Sequence, residues 1–209
     1  MKNIIIRNRV RNTKYFTSQR FKNWISQEYS FLIKYVEKNA KLLDIGSMDG
    51  RVGFMMLDDL ELNFKELHLT DYQDEYISHI DKLITESERD TVFCRKEDAV
   101  NLSYTEGHFD YVTAFGGVFS LLYSENYGGM PQGFNSNISR ENLISNSVVD
   151  CLRVLKSGGK LILEAQKSDF NCIEAALDSK GAHLIEKTEI QAGPSAAEYY
   201  ISCFLKEQY

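Results

Sequence analysis

The chain has 209 residues, of which 43% are hydrophobic and 26% are charged, as expected of one soluble domain with a full-sized core. Its formal net charge of −6 argues against a broad nucleic-acid-binding surface. The apolar run near the start is broken by Arg7, Arg9 and Arg11, and no later run is long enough to span a bilayer. These features predict a single domain over residues 1–209 that is cytoplasmic and does not enter a membrane.

The first forty residues differ from the rest in charge. Residues 1–22 are rich in lysine and arginine and contain no acidic residue, so they either contact an anionic substrate or RNA, or form a solvated extension that balances an acidic body. Charge runs usually serve solubility, which favours the second interpretation. Residues 1–40 are therefore expected to form a basic segment and a cap helix over 18–37. The apolar stripe of that helix consists of Phe21, Ile25, Tyr29, Leu32 and Val36.

From residue 41 onward, short apolar runs alternate with amphipathic stretches. The predicted strands are 42–45, 66–70, 91–94, 109–114 and 160–165. The predicted helices are 51–57, 74–87, 139–155 and 169–180. Ser139 is a suitable cap for the third of these helices, and Gly158 and Gly159 are expected to end it in the left-handed conformation. Because parallel strands need right-handed crossovers, this order predicts a parallel sheet with helices on both faces.

The end of the chain departs from the strand–helix alternation. Two strand-like runs, 183–189 and 198–205, are joined by a short loop without a helix, so they are expected to pair antiparallel. They bring the predicted number of strands to seven. The expected fold class is α/β: a single-domain, three-layer sandwich around a mostly parallel sheet with an antiparallel C-terminal strand.

The first predicted strand runs into an acidic residue and a glycine-rich turn with the spacing Asp44-x-Gly46-x-Met48-x-Gly50. No register of these glycines and Gly53 gives the Gly-x-Gly-x-x-Gly pattern of a dinucleotide fold. The turn instead resembles the first motif of the class I S-adenosylmethionine-dependent methyltransferases, Asp/Glu-x-Gly-x-Gly-x-Gly, with Met48 replacing the middle glycine. It is also similar to a Gly-Ser-Asn-Asp-Gly version found in some members. Methionine tolerates a positive φ poorly, so this position is a departure from the motif.

Further motifs of the same family follow in the same order, each after a predicted strand: Asp71-Tyr72, Asp98-Ala99 and the segment that starts at Phe115. The sequence Val-Leu-Lys-Ser-Gly-Gly-Lys-Leu over 154–161 resembles the family's Leu-Lys-Pro-Gly-Gly-x-Leu stretch. The resemblance covers about residues 41–205 and implies a Rossmann-like fold in which the seventh strand inserts antiparallel between the fifth and sixth. In such a sheet the ligand lies beyond the carboxyl ends of the strands.

The resemblance implies S-adenosyl-L-methionine as the cofactor and S-adenosyl-L-homocysteine as its product. Asp71 would accept hydrogen bonds from both ribose hydroxyls, although Asp71 to Asp74 are alternatively a turn that caps the next helix. Asp98 and the backbone of Ala99 would contact the adenine, and Asp44 would organise the turn and interact with the cationic methionine end. The other cofactor-binding candidates are Gly46, Ser47, Met48, Gly50, Tyr72 and Phe115.

A long, almost uncharged segment over 116–138, rich in aromatic residues and glycine, follows the fourth strand. We interpret it as a substrate lid lined by apolar groups, the alternative being an insertion folded over the core. The candidates for catalysis are Tyr123, Tyr127 and Glu164, the last of which is alternatively a helix-capping or turn acid. None of the four histidines is well placed as a general base, which mildly favours an acceptor that ionises readily. The scattered cysteines predict free thiols and no metal site.

These patterns predict methyl transfer to an oxygen or nitrogen of a small-molecule acceptor. An RNA or protein methyltransferase is the second hypothesis, and a catalytically inactive module that binds the cofactor or only a partner is the third. A short-chain dehydrogenase would need a Tyr-x-x-x-Lys pair, which the sequence lacks. The chain also lacks the Asp-Pro-Pro-Tyr-like motif and the Pro-Cys nucleophile of enzymes that methylate nucleic-acid bases. The sequence predicts neither the identity of the acceptor nor the oligomeric state.

Overall fold

The computed structural model describes residues 19–59, 62–115, 118, 139–191 and 198–207. Within these residues the helices are α1 (Gln19–Leu32), α2 (Arg51–Asp59), α3 (Asp74–Ser87), α4 (Arg140–Val154) and α5 (Lys167–Asp178). The strands are β1 (Lys41–Ile45), β2 (Glu66–Asp71), β3 (Val92–Lys96), β4 (Phe109–Ala114), β5 (Leu155–Gln166), β6 (Ala182–Gln191) and β7 (Glu198–Lys206). The basic segment over 1–18 and the predicted lid, apart from Val118, lie outside the described residues.

All the strands join one sheet in the order β3-β2-β1-β4-β5-β7-β6. The neighbours from β3 to β5 are parallel, whereas β7 is antiparallel to both β5 and β6. The predicted fold class is therefore confirmed, together with the insertion of the seventh strand between the fifth and sixth. The chain fills the sheet in one direction from β1 to β3 and in the other from β4, so the strand order reverses between β1 and β4.

The core consists of two layers of side chains, one on each face of the sheet. Successive residues of a strand point to opposite faces, so Leu42 lies in one layer and Leu43 in the other. The first layer packs against α1, α2 and α3 through Leu32, Phe54 and Ile80 among others. The second packs against α4 and α5, so the strand–helix alternation gives the predicted three-layer sandwich.

Helix α1 ends at Leu32, five residues before the predicted end at 37. The following turn contains tighter hydrogen bonds from the amide of Lys34 to the carbonyl of Phe31 and from Tyr35 to Leu32, at 3.2 and 3.0 Å. Val36 is nevertheless buried, as the apolar stripe predicts. The stripe therefore identified the buried residues correctly but not the end of the helix.

The junction between α4 and β5 corrects another prediction. Ser139 does cap α4, because its hydroxyl accepts a hydrogen bond from the amide of Asn142 at 3.3 Å. The helix does not end at the glycines, however, because Leu155 is already extended and begins β5. Gly158, with a φ of 77°, and Gly159 lie inside β5, where the pairing with β4 shifts.

Distant groups replace the expected glycine cap of α4. The ammonium of Lys206, at the end of β7, donates to the carbonyl of Leu152 at 2.9 Å. The amides of Gly107 and His108 donate to the carbonyls of Arg153 and Val154 at 3.0 and 2.8 Å. Because these partners already satisfy the last carbonyls of the helix, no left-handed residue is needed there.

Two further expectations concern the cysteines and the membrane. Cys94, Cys151, Cys172 and Cys203 are free thiols, as predicted. Among the residues that the structure describes, none of the helices combines the length and the apolar character that a bilayer-spanning helix requires.

Candidate functional site

The predicted cofactor residues converge at the carboxyl edge of the sheet. Ile45, the last residue of β1, is paired with Thr70 on one side and with Ala114 on the other. The residues that follow these positions, Gly46, Asp71 and Phe115, therefore lie next to one another. This is the point where the strand order reverses, the usual place for a ligand in an open α/β sheet.

The turn between β1 and α2 takes the left-handed conformation three times. Gly46, Met48 and Gly50 have φ values of 68°, 51° and 73°. For a residue other than glycine, this conformation costs about 1–2 kcal/mol. The backbone at Met48 thus has the shape that a glycine motif would give, although the residue there is not glycine.

Hydrogen bonds fix this turn to the end of β2. The amide of Ser47 donates to the carbonyl of Thr70 at 2.8 Å, and the amide of Thr70 donates to the Ser47 hydroxyl at 3.0 Å. The amide of Met48 donates to Asp71 Oδ2 at 3.0 Å. The strain at Met48 is therefore offset by contacts with β2, which hold the turn in one conformation.

Asp71 is the last residue of β2 and is 7% exposed. Besides binding the Met48 amide, it accepts a hydrogen bond at Oδ1 from the amide of Gln73 at 2.9 Å. Burial raises the pKa of Asp71, although the backbone hydrogen bonds act in the opposite direction. The carboxylate therefore forms the local turn that the sequence analysis gave as the alternative role of Asp71.

Asp44 is the penultimate residue of β1 and is 2% exposed. Its Oδ1 accepts a hydrogen bond from the hydroxyl of Thr113 on β4 at 2.7 Å. Burial raises the pKa of Asp44 to about 6, and the Thr113 hydrogen bond offsets only part of this effect. Sequence reasoning did not find Thr113; the signal was the strand register, in which Asp44 and Thr113 are partners.

The loop after β3 contains Asp98 and Ala99. Asp98 Oδ1 accepts a hydrogen bond from the amide of Val100 at 3.0 Å, which makes this a compact turn, and Ala99 is buried. Helix α4 holds the following residues in place through Arg153. Its guanidinium donates to the carbonyls of Leu102 and Tyr104, each at 2.7 Å.

Val118 packs directly against the glycine turn. It is buried, and a Cβ atom built on Gly46 would lie 2.4 Å from Val118 Cγ2. Phe115, which follows β4, is also buried and packs in the layer that faces α1 to α3. The absence of a side chain at Gly46 therefore permits this contact, and a ligand that reaches the Gly46 backbone from this side has to displace Val118.

The remaining candidates have different environments. Tyr72 is 37% exposed, and the ammonium of Lys96 lies 5.4 Å from its ring centroid. Glu164 is fully buried inside β5, so it is not in a turn or at a helix start. Because its neighbour Leu163 is paired with Ala114, it lies just beyond the end of β4. Tyr123 and Tyr127 lie outside the described residues.

Comparisons with known proteins add independent information. No family model matches the chain, and no curated protein matches its sequence. Solved structures do match. A methyltransferase from Pyrococcus furiosus is 15% identical, with a TM-score of 0.65 over 99% of this chain and 97% of its own. A SAM-dependent methyltransferase from Methanosarcina mazei is 13% identical, with a TM-score of 0.65 over 87% of this chain and 99% of its own.

The 4+2 cyclase SpnF is a third match, 14% identical, with a TM-score of 0.67 over 100% of this chain and 93% of its own. At such identities the shared property is the fold. The matching structures, the strand order and the turn after β1 all indicate the same fold. This chain has the Rossmann-like fold of the class I S-adenosylmethionine-dependent methyltransferases.

Proposed function

We propose that this protein binds S-adenosylmethionine at the carboxyl ends of β1 and β2 and transfers its methyl group to an oxygen or nitrogen of a small-molecule acceptor. The observation that carries the proposal is the conformation of the turn. Gly46, Met48 and Gly50 all have positive φ, and Asp71 closes the turn through the Met48 amide. The turn has the backbone conformation of a glycine motif even at Met48, where the side chain makes that conformation unfavourable. We take this as support for a functional role of the turn.

The described residues offer the contacts that such a cofactor needs. The carboxylate of Asp71 lies at the end of β2, where its oxygens would accept hydrogen bonds from adjacent ribose hydroxyls. Asp44, when ionised, would attract the cationic methionine end. Helix α2 begins beside the turn, so its first amides favour a carboxylate. Asp98 and the Ala99 backbone belong to the loop that would contact the adenine.

The cofactor would supply a methyl group on a cationic sulfur, which leaves as a neutral thioether when the acceptor attacks in line. The task of the chain is then to hold the acceptor atom close and aligned. His68 and His108 contact Glu66 at the amino edge of the sheet, so neither is placed to deprotonate an acceptor at the carboxyl edge. This supports an acceptor that ionises readily. Glu164, Tyr123 and Tyr127 are the polar side chains to substitute in an acceptor screen.

The test is a calorimetric titration of the purified protein with S-adenosylhomocysteine and, separately, with NAD. We expect a Kd that is micromolar or tighter for S-adenosylhomocysteine and no binding of NAD. Asp71→Asn should abolish binding. Asp74→Asn is the matched control, because Asp74 is an exposed carboxylate three residues away that pairs with Lys96. Equal affinity in the two variants, or no binding by the wild type, would contradict the proposal.

Two alternatives have distinct signatures. One neighbour is a cyclase, so the fold alone does not establish methyl transfer. Binding of S-adenosylhomocysteine without turnover of any acceptor would indicate a binding module. An RNA methyltransferase would instead lose RNA binding when residues 1–14, which carry much of the basic charge, are removed.

A further inference from the structure

A second cluster of titratable side chains lies at the amino edge of the sheet, opposite the cofactor edge. Glu66 is the first residue of β2, and His68 points to the same side because strand side chains alternate. His108 directly precedes β4. Glu66 Oε2 lies 2.9 Å from His108 Nε2 and 3.3 Å from His68 Nε2. One potential ligand atom from each of the three residues lies within 4.8 Å of the others.

We propose that Glu66, His68 and His108 bind a zinc ion. In a tetrahedral zinc site with bonds of about 2.0–2.1 Å, neighbouring ligand atoms are about 3.3 Å apart. The two distances from Glu66 Oε2 are already 2.9 and 3.3 Å. Two imidazoles and one carboxylate form a ligand set that zinc commonly takes. The third distance, between the ligating nitrogens of His68 and His108, would close by rotation of His108. This side chain is 30% exposed and lies at the end of a loop.

The surroundings of His68 fix the ligating nitrogen. Its Nδ1 lies 3.2 Å from the hydroxyl of Tyr104. When Nδ1–H donates to that oxygen, the lone pair of Nε2 points towards Glu66 and His108, which is the usual arrangement of a metal-binding histidine. The ring also stacks on Phe93, with centroids 4.8 Å apart, and meets Phe109 edge-on at 5.2 Å. His68 is thus held in an orientation that a metal ion would use.

The charges around the cluster predict an exchangeable ion. The ammonium of Lys41 lies 2.5 Å from Glu66 Oε1, which orients the carboxylate but adds a positive charge beside the site. The guanidinium of Arg95 lies 5.3 Å from the centroid of the Tyr104 ring and adds another. Lys41 thus opposes a second cation while it leaves Oε2 available. The ligands come from β2 and from the residue before β4, so the ion would join the strands on either side of β1.

The site is open to solvent and independent of the proposed cofactor site. The side chains of His68, Glu66 and His108 are 15%, 24% and 30% exposed, so an ion can reach them from bulk water. Three protein ligands leave a fourth position for a water molecule. Because the cluster lies at the other edge of the sheet, its test does not depend on S-adenosylmethionine binding.

The experiment is a calorimetric titration of the full-length, untagged and EDTA-treated protein with zinc chloride. We expect one equivalent to bind and to raise the melting temperature. His108→Ala and His68→Ala should each abolish this binding. His183→Ala is the matched control, because His183 is an exposed histidine that pairs with Glu207 elsewhere, and it should bind like the wild type. Tyr104→Phe should weaken binding about tenfold, as expected for loss of a partner that orients a ligand.

A cobalt titration of the wild type keeps the proposal testable if a variant fails to fold. Tetrahedral cobalt has strong visible absorption bands, and we expect these to appear with one equivalent and to disappear when zinc is added. Lys41→Met should tighten zinc binding, because it removes the opposing charge. Absence of stoichiometric zinc binding by the wild type, weak octahedral-type bands, or unchanged affinity in folded His108→Ala would each overturn the proposal.

Discussion

Two features require glycine at position 46: its positive φ and its close contact with Val118. A side chain there would adopt the left-handed conformation and would also overlap Val118 Cγ2, which lies 2.4 Å from the Cβ position. We expect Gly46→Ala to lower the free energy of unfolding by about 2–4 kcal/mol, the sum of backbone strain and overpacking. Urea denaturation followed by circular dichroism measures this loss.

Gly107 provides the control for Gly46. It has a similar φ of 65°, but nothing lies within 4 Å of its Cβ position. Gly107→Ala should therefore lower the free energy of unfolding only by the cost of backbone strain, about 1–2 kcal/mol. Val118→Ala combined with Gly46→Ala should recover part of the loss, because the two residues are in contact. Equal losses at Gly46 and Gly107 would show that Val118 does not contribute.

Met48 is the reverse case, a residue that glycine could replace with advantage. Its φ of 51° is strained for methionine, whereas glycine takes this conformation freely. Glycine also gains entropy in the unfolded chain, so we expect Met48→Gly to raise the free energy of unfolding by only about 0.5–1 kcal/mol. Met55→Gly in α2 should be destabilising instead. A fall in stability for Met48→Gly would mean that the methionine side chain has a packing role that outweighs the strain.

Asp44 should make stability depend on pH. Its pKa is about 6 in the folded protein, above the ordinary value of 3.8. Well below pH 3.8 the carboxyl is neutral in both states, so its contribution to stability is fully present there. As the pH rises from about 4 to 6, only the unfolded state releases the proton, and the folded state loses up to about 3 kcal/mol.

Asp44→Asn should remove this dependence, because the amide does not titrate while its oxygen can still accept from Thr113. The measurement is the difference in unfolding free energy between wild type and variant at pH 4 and at pH 7.5. We expect the variant to gain relative to the wild type at the higher pH. An ionised Asp44 should attract the protonated α-amino group of S-adenosylhomocysteine, so this ligand should bind the wild type more tightly above pH 6. A constant difference across this range would contradict the role of burial at Asp44.

At the scale of elements, local patterns predicted the structure well where the determinants are local. Strand β4 has the predicted bounds, and α3 also matches. Helix α4 ends within one residue of the predicted position, but the predicted glycine cap is wrong, because the groups that satisfy its carbonyls come from Lys206 and from the loop before β4. A glycine pair is a sound local signal for a helix end, but the sequence does not show that a lysine more than fifty residues away takes that role.

The same limit applies to the sites. The residues around the glycine turn were predicted because they follow strands in a familiar order. Thr113 and the cluster of Glu66, His68 and His108 were not, because they depend on which strands become neighbours. Predicting the sheet order would have placed the starts of β2 and β4 on either side of β1. His68 and His108 lie at the amino edge, away from the proposed cofactor, and only the structure shows that both contact Glu66 there.

Arg153 shows how one helix positions a loop of the candidate site. Its guanidinium binds two carbonyls of the loop after β3 and also Asp150 on its own helix. Arg153→Met should leave these acceptors without a charged donor and lower the free energy of unfolding by about 2–3 kcal/mol. It should also weaken S-adenosylhomocysteine binding, since the loop contains Asp98 and Ala99.

Arg153→Lys is the informative comparison, because lysine retains the charge but lacks the planar fork that reaches two carbonyls together. Its stability should lie between those of the wild type and Arg153→Met. The measurements are urea denaturation and calorimetry on the same samples. If both variants lost stability without any change in ligand affinity, the loop would not be part of the binding site.

For the whole molecule, the sheet joins the two halves of the core. The layer against α1 to α3 and the layer against α4 and α5 use alternate residues of the same strands, as Leu42 and Leu43 of β1 illustrate. Neither layer can lose its packing without exposing the strands that support the other. The strand–helix order predicts this architecture, whereas the acceptor of the proposed methyl transfer would depend on side chains around one edge, which the fold leaves free to vary.

This shared sheet leads us to expect one cooperative unfolding transition, as proposed for a single domain over 1–209. Far- and near-ultraviolet circular dichroism should give coincident curves. At a concentration one hundred times its Kd, S-adenosylhomocysteine should add about 2.7 kcal/mol and raise the melting temperature of a chain this long by about 5–10 °C. NAD should cause no shift. Two separate transitions, only one of which the ligand shifts, would show that the two layers unfold independently. The shared strands would then not couple the two layers.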